Sequence, residues 1–205
     1  MENITIIGMD PPVSKNCGWA VIKLVDDKIT LLEKFTQILD DAREVYYLED
    51  VYQKLEELIK KHGATVLCLE MSMGGGFAFG RARLNEFVGV CKLCCLRNNL
   101  KVIEVVPSHL KMTITGHGKA PKKKIMENIV ATFGLSEPGP EHECDAAGFA
   151  LNYLIDSGWQ GYVINHPYTK AMLKKEKKKK EKRRKLKERR RIEKMLKGES
   201  TESVV

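Results

Sequence analysis

Long apolar runs are missing from this 205-residue chain. No stretch reaches the roughly 18 consecutive apolar residues that a membrane-spanning helix needs, so such a helix is excluded. The opening MENITIIGMD has an acid at position 2 and no basic stretch ahead of an apolar core, so no secretory leader is expected. A disulfide framework is missing too. The six cysteines, at 17, 68, 91, 94, 95 and 144, sit mostly inside apolar helix-like or strand-like stretches. They are expected to be reduced core thiols in a cytosolic compartment. Cys91, Cys94 and Cys95 crowd onto one apolar helix without the two spaced pairs of a structural zinc site, so core packing is the expectation. There is no internal repeat.

What is present is enough for a packed core: 43% of residues are hydrophobic, which excludes a wholly disordered chain. The length suits one domain with an appendage. Charge shows where the appendage lies. Between Lys174 and Lys197 there are 16 Lys or Arg and 4 Glu, a net of +12 inside a chain whose total is +8. The body, Met1 to Leu173, is therefore close to −2. The basic run cannot bury an apolar face, so it is expected to be a solvated helix or a disordered tail over 169–205, after a globular domain over 1–168. Two roles stay open for it: a solubilising or targeting tail, or an electrostatic arm for nucleic-acid phosphates that begins at Lys174 and Lys175.

Within the body, apolar alternation and turn residues predict strands over Ile4–Asp10, Trp19–Leu24 and Ile29–Ile38. Leu48, Val51, Tyr52, Leu55, Leu58 and Ile59 recur at helical spacing, so a helix is expected from an Asp41 cap to about His62, ended by Gly63. A buried strand follows from Thr65, ending at Glu70. After the glycine-rich loop MSMGGGFAFG comes a helix over about Ala82–Arg97, then a strand over Lys101–Val106. A Lys- and Gly-rich loop leads to a helix over Lys122–Phe133, and a last helix covers about Cys144–Asp156. Strands alternating with helices predict an α/β fold, a mixed five-stranded sheet with helices on both faces.

Asp10 and Glu70 each end an apolar strand, where ligands collect in open sheets. Two bare carboxylates so placed repel each other unless a cation neutralises them, and a hard divalent ion such as Mg²⁺ suits oxygen ligands. In HECDAAGFAL, His142 and Asp145 are three residues apart on one helical face, and the small residues around them let that helix approach the sheet.

These motifs together resemble the RuvC family of Holliday-junction resolvases, within the RNase H-like superfamily. GMDPPVSKNCGWAVI looks like the family's first strand, turn and second strand, with Asp10 at its first acid. Glu70 in VLCLE matches the second acid, and His142 with Asp145 matches the last pair. FGRAR resembles the entry to the family's long helix. KMTITGHGKAPKKK resembles its segment with a lysine, a Gly-x-Gly turn and a second lysine, which gives Lys111 and Lys122 as the basic residues near the scissile phosphate. The resemblance spans about residues 3–157. Asp10-Pro11-Pro12 departs from the family's Asp-Pro-Gly, and the basic tail is not part of its pattern.

The resemblance implies a Mg²⁺-dependent endodeoxyribonuclease with two ions per site, for which Mn²⁺ substitutes, that resolves branched DNA by paired nicks as a homodimer. Asp10 would bridge the ions, Glu70 and Asp145 would flank them, and His142 would be a nitrogen ligand or position water. Met73, Phe77 or Phe79 in the glycine-rich loop would wedge into the junction. Arg81, Arg83, Lys119, Lys123 and Lys124 are candidate DNA contacts. Three other readings compete: a broader RNase H-like nuclease acting on RNA or generic branched DNA, a non-catalytic branched-DNA binding module, and an actin-like phosphotransferase. Pro11-Pro12 speaks against the last, because it leaves no small-residue phosphate cradle.

Overall fold

The computed structural model describes residues 3–12, 15–40, 46–71 and 78–196, with backbone only at 46, 78–81 and 194–196. The chain divides into two compact units, 1–167 and 168–205. In the first unit three strands run in succession, β1 (Ile4–Asp10), β2 (Asn16–Val25) and β3 (Lys28–Ile38). Helix α1 (Tyr46–His62), β4 (Val66–Glu70), α2 (Ala78–Arg97) and β5 (Lys101–Val105) follow, and then three helices, α3 (Pro107–Thr115), α4 (Lys122–Phe133) and α5 (Glu141–Asp156). The second unit holds one helix, α6 (Lys170–Leu196).

The strands form one sheet in the order β3-β2-β1-β4-β5. β1, β2 and β3 pair antiparallel, while β1-β4 and β4-β5 pair parallel. This is the mixed five-stranded α/β sheet expected from the sequence. The period-2 pattern of the strands explains why both faces are covered. Ile6, Ile22, Leu24, Val66 and Cys68 join a core with α3, α4 and α5. Their neighbours Ile7, Met9, Val21, Leu67 and Leu69 join a second core with α1 and α2 on the other face. Each such fully buried aliphatic side chain stabilises the fold by about 1.5–3 kcal/mol.

All six cysteines are free and buried. Burial pushes the Cys17 and Cys68 thiols well up, as it does Cys144, to about 11, so none is poised as a nucleophile. Among the described residues no helix is long and apolar enough to cross a membrane.

Strand β2 runs from Asn16 to Val25, longer than the expected Trp19–Leu24; the expected Asp41 cap of α1 lies outside the described residues; and three helices differ from the sequence expectation. Residues 107–115, expected as loop, form α3. Pro107 is suited to a first helical position, Leu110 and Ile114 bury one face, and Gly116 ends the helix with φ 75°. Helix α2 starts at Ala78, four residues before the expected Ala82. α5 starts at Glu141 rather than Cys144, because Pro140 takes the position just before the helix.

Candidate active site

The strand alternation carries on to the carboxylates. Asp10 ends β1 with the parity of Ile6, and Glu70 ends β4 with the parity of Val66 and Cys68, so both face α5. The parallel register sets Met9 against Leu69, which makes Asp10 and Glu70 neighbouring strand ends.

Two strand glycines let α5 come close enough to complete the site. A Cβ on Gly8 would stand 1.9 Å from the Ala146 carbonyl oxygen, and one on Gly18 would stand 2.1 Å from that of His142. Gly18 pairs with Asp10 across β1-β2. The first turn of α5 is thereby pressed onto the strand beside Asp10, and His142 Nδ1 lies 2.6 Å from Asp10 Oδ2.

Asp145, one turn on, meets Lys122 Nζ at 2.9 Å, and the same ammonium lies 2.6 Å from Glu141 Oε1. Asp10 and Asp145 are each 6% exposed. Burial raises the Asp10 pKa to about 7; the His142 hydrogen bond opposes the rise, and the Asp145 and Glu70 charges add to it. Glu70 is also pushed up, by burial and by Asp145, against the pull of Lys122 and Lys111. Asp145 is raised by burial despite its bond to Lys122. On Lys122 itself, burial would lower the pKa, but the bonds to Asp145 and Glu141 outweigh it and hold the ammonium charged.

Asp10, Glu70, His142, Asp145, Lys111 and Lys122 thus fall at one end of the sheet. Lys111 arrives on α3, and its charge acts on Glu70. As they stand, no three His, Cys, Asp or Glu side chains among the described residues are arranged as a metal cage. Asp10 is turned to His142 and Asp145 to Lys122. The donor set nonetheless fits a hard divalent ion: three carboxylates and an imidazole, with the acids held up in pKa by burial and mutual repulsion.

The other candidates scatter. Met73 and Phe77 lie outside the described residues. Phe79 lies in the first turn of α2 instead of the glycine-rich loop, as does Arg81, because the helix starts four residues early. Arg83 lays its guanidinium over the Tyr47 ring at 4.6 Å, which commits it to packing against the body. Lys119 and Lys123 are exposed. Lys124 is ion-paired to Glu127 at 2.6 Å. Lys174 and Lys175 are exposed on α6.

Four contributors escaped the sequence reading: Glu141, Glu143, Gly8 and Gly18. Glu143 sits between His142 and Asp145 and bonds Lys34 and Thr36 of β3. An acid in a first helical turn was the one available signal, and it did not name the partners.

The sheet order, helices on both faces and three acids at one end define an RNase H-like nuclease, a class that works with divalent metal ions. A family model described as crossover junction endodeoxyribonuclease RuvC matches residues 6–153. The RuvC of Prochlorococcus marinus strain AS9601 is 30% identical over 160 residues, which cover 75% of this chain and 98% of that one. The Caldicellulosiruptor saccharolyticus RuvC is 26% identical, covering 74% and 93%. Among solved structures, Thermus thermophilus RuvC in complex with Holliday junction substrate superposes with a TM-score of 0.69 at 18% identity, covering 75% of this chain and 94% of that one. The yeast mitochondrial Holliday junction resolvase Ydc2 gives 0.54 at 13%, covering 76% and 78%. The chain belongs to the RuvC family of crossover junction endodeoxyribonucleases, DNA-cleaving hydrolases of recombination and repair. Helix α6 lies beyond the matched residues.

Proposed function

We propose that this enzyme resolves Holliday junctions, as a homodimer, by nicking two strands symmetrically with Mg²⁺ held by Asp10, Glu70, Asp145 and His142. The observation that carries the reading is the convergence of Asp10, Glu70 and Asp145, on β1, β4 and α5, with each acid raised in pKa by burial. Mg²⁺, two ions per site, would supply Lewis acidity that activates water and offsets charge on the phosphate, and Mn²⁺ would substitute for it.

The chain's own residues prepare that chemistry. Asp10 holds the His142 ring by Nδ1, which fixes its orientation and leaves Nε2 as the nitrogen for water or metal. Lys111 and Lys122 bring two ammonium groups to the acids' edge, where they attract and orient a phosphate. Lys119 and Lys123, both exposed, would contact the DNA backbone. A homodimer is supported by α2, on which Gly89, Leu93 and Leu96 form an i, i+4, i+7 ridge with the two leucines 46% and 76% exposed.

A panel of four-way, flap, fork and RNA–DNA hybrid substrates tests the substrate. The reading expects the four-way junction to be cut at least tenfold faster than the rest. Comparable rates on flaps or hybrids would replace it with the broader nuclease. Leu93→Glu should give a monomer by sedimentation, which still binds DNA but no longer makes paired nicks.

A further inference from the structure

Helix α6 runs 27 residues, about 40 Å. Its described side chains are nearly all exposed. Its charge is not confined to a stripe. At 100° per residue, Lys174, Lys178, Lys182 and Arg189 cluster on one side, and Lys180, Arg183, Lys187 and Arg191 cluster on the opposite side. Only four glutamates interrupt the helix, at 176, 181, 188 and 193.

This pattern narrows the uses of the helix. No apolar face exists to lie in a membrane interface or to pack against a protein groove. Nor does the helix carry an Asn or Gln for reading adenine edges in a major groove. What it offers is phosphate contact from two opposite sides. A single duplex lying against a helix engages one side and leaves the other in water. Ten of its i,i+4 pairs set Lys or Arg against Lys or Arg, and five set a base against Glu. The isolated helix is thus strained by its own charge, and polyanion on both sides relieves it.

We propose that α6 is an electrostatic strut between two duplex arms of branched DNA, with each basic side on the phosphates of a different arm. The inference rests on the junction-nuclease reading. It concerns binding alone, so it is tested without metal.

The experiment uses the full chain in EDTA and measures affinity for a four-way junction and for a linear duplex across a salt series. Three variants are compared with the unaltered chain. The first carries Lys174→Gln, Lys178→Gln, Lys182→Gln and Arg189→Gln. The second carries Lys180→Gln, Arg183→Gln, Lys187→Gln and Arg191→Gln. The third carries all eight changes. Circular dichroism confirms that each is folded.

Four lost phosphate contacts lower the log–log salt slope by about 3–4. Each single-side variant should show that loss on the junction and little on the duplex, where the intact side takes over. The eight-fold variant should weaken on both. Equal losses on junction and duplex from one side would mean that α6 lies in one groove and would overturn the strut. Unchanged slopes in all variants would mean that α6 does not touch DNA, and would also overturn it. If the unaltered chain binds but fails to cut junctions with Mg²⁺, the nuclease reading falls while the slopes still decide the role of α6.

Discussion

Lys34 on β3 and Glu143 on α5 meet at 2.7 Å, both largely buried, across 109 residues of sequence. Lys34 Nζ also donates to the Pro138 carbonyl, and Thr36 Oγ1 donates to the other Glu143 oxygen. Gly139 gives the ammonium room: a Cβ there would stand 2.5 Å from Lys34 Nζ. The outer strand of the sheet is thereby tied to the helical turn that carries His142 and Asp145. Glu143→Ala should cost about 2 kcal/mol, the scale of a charge-assisted hydrogen bond. It should also slow cleavage at saturating junction at least tenfold with little change in KM. Thermal melts and single-turnover rates check this, and an unchanged rate in a destabilised variant would make the pair purely structural.

The raised carboxylates set a pH dependence. Asp10 unfolded titrates near 4, and folded near 7. The folded form keeps its proton where the unfolded form has lost it. The associated stability is therefore fully present below about pH 4 and lost as pH rises through 7. In EDTA, the melting temperature of the unaltered chain should fall from pH 5 to pH 8 relative to Asp10→Asn, and Mg²⁺ should recover the difference at pH 8. A difference that stays flat across this range would contradict the burial argument.

Lys122 competes with any cation for Asp145. Lys122→Gln should tighten Mn²⁺ binding measured by calorimetry, because one fixed positive charge is gone, yet slow cleavage because the phosphate loses an ammonium partner. Weaker Mn²⁺ binding would show that Lys122 instead orders the acid for the metal.

Gly18, paired across β1-β2 with Asp10, is where the turn of α5 that carries His142 presses onto the sheet. Gly18→Ala must push the His142 carbonyl away, since the new methyl would lie 2.1 Å from it. Overpacking of this kind costs about 1–3 kcal/mol. The variant should melt lower and lose cleavage. Normal cleavage by Gly18→Ala would mean that the helix does not set the His142–Asp10 distance.

Much of this site could be read in advance, because its signals are local. Asp10 and Glu70 close apolar strands, so alternation alone gives their face. His142 and Asp145 share a helical turn by spacing. Helix α3 could not be read, because the β-branched Thr113, Ile114 and Thr115 and the glycines that follow favour extended or turn structure, and burial of Leu110 and Ile114 overrides that preference. The Lys34–Glu143 tie joins distant residues by no spacing rule. Gly8 and Gly18 look like ordinary strand glycines until the packed helix shows which carbonyl each one admits.

The central claim is that these three acids cut branched DNA. Single-turnover cleavage of a synthetic four-way junction in Mg²⁺, by the unaltered chain and by Asp10→Asn, tests it most directly. The account predicts paired symmetric nicks from the unaltered chain, and from Asp10→Asn tight binding with cleavage reduced at least a thousandfold. An uncut junction with the unaltered chain, or equal cutting by Asp10→Asn, would contradict it.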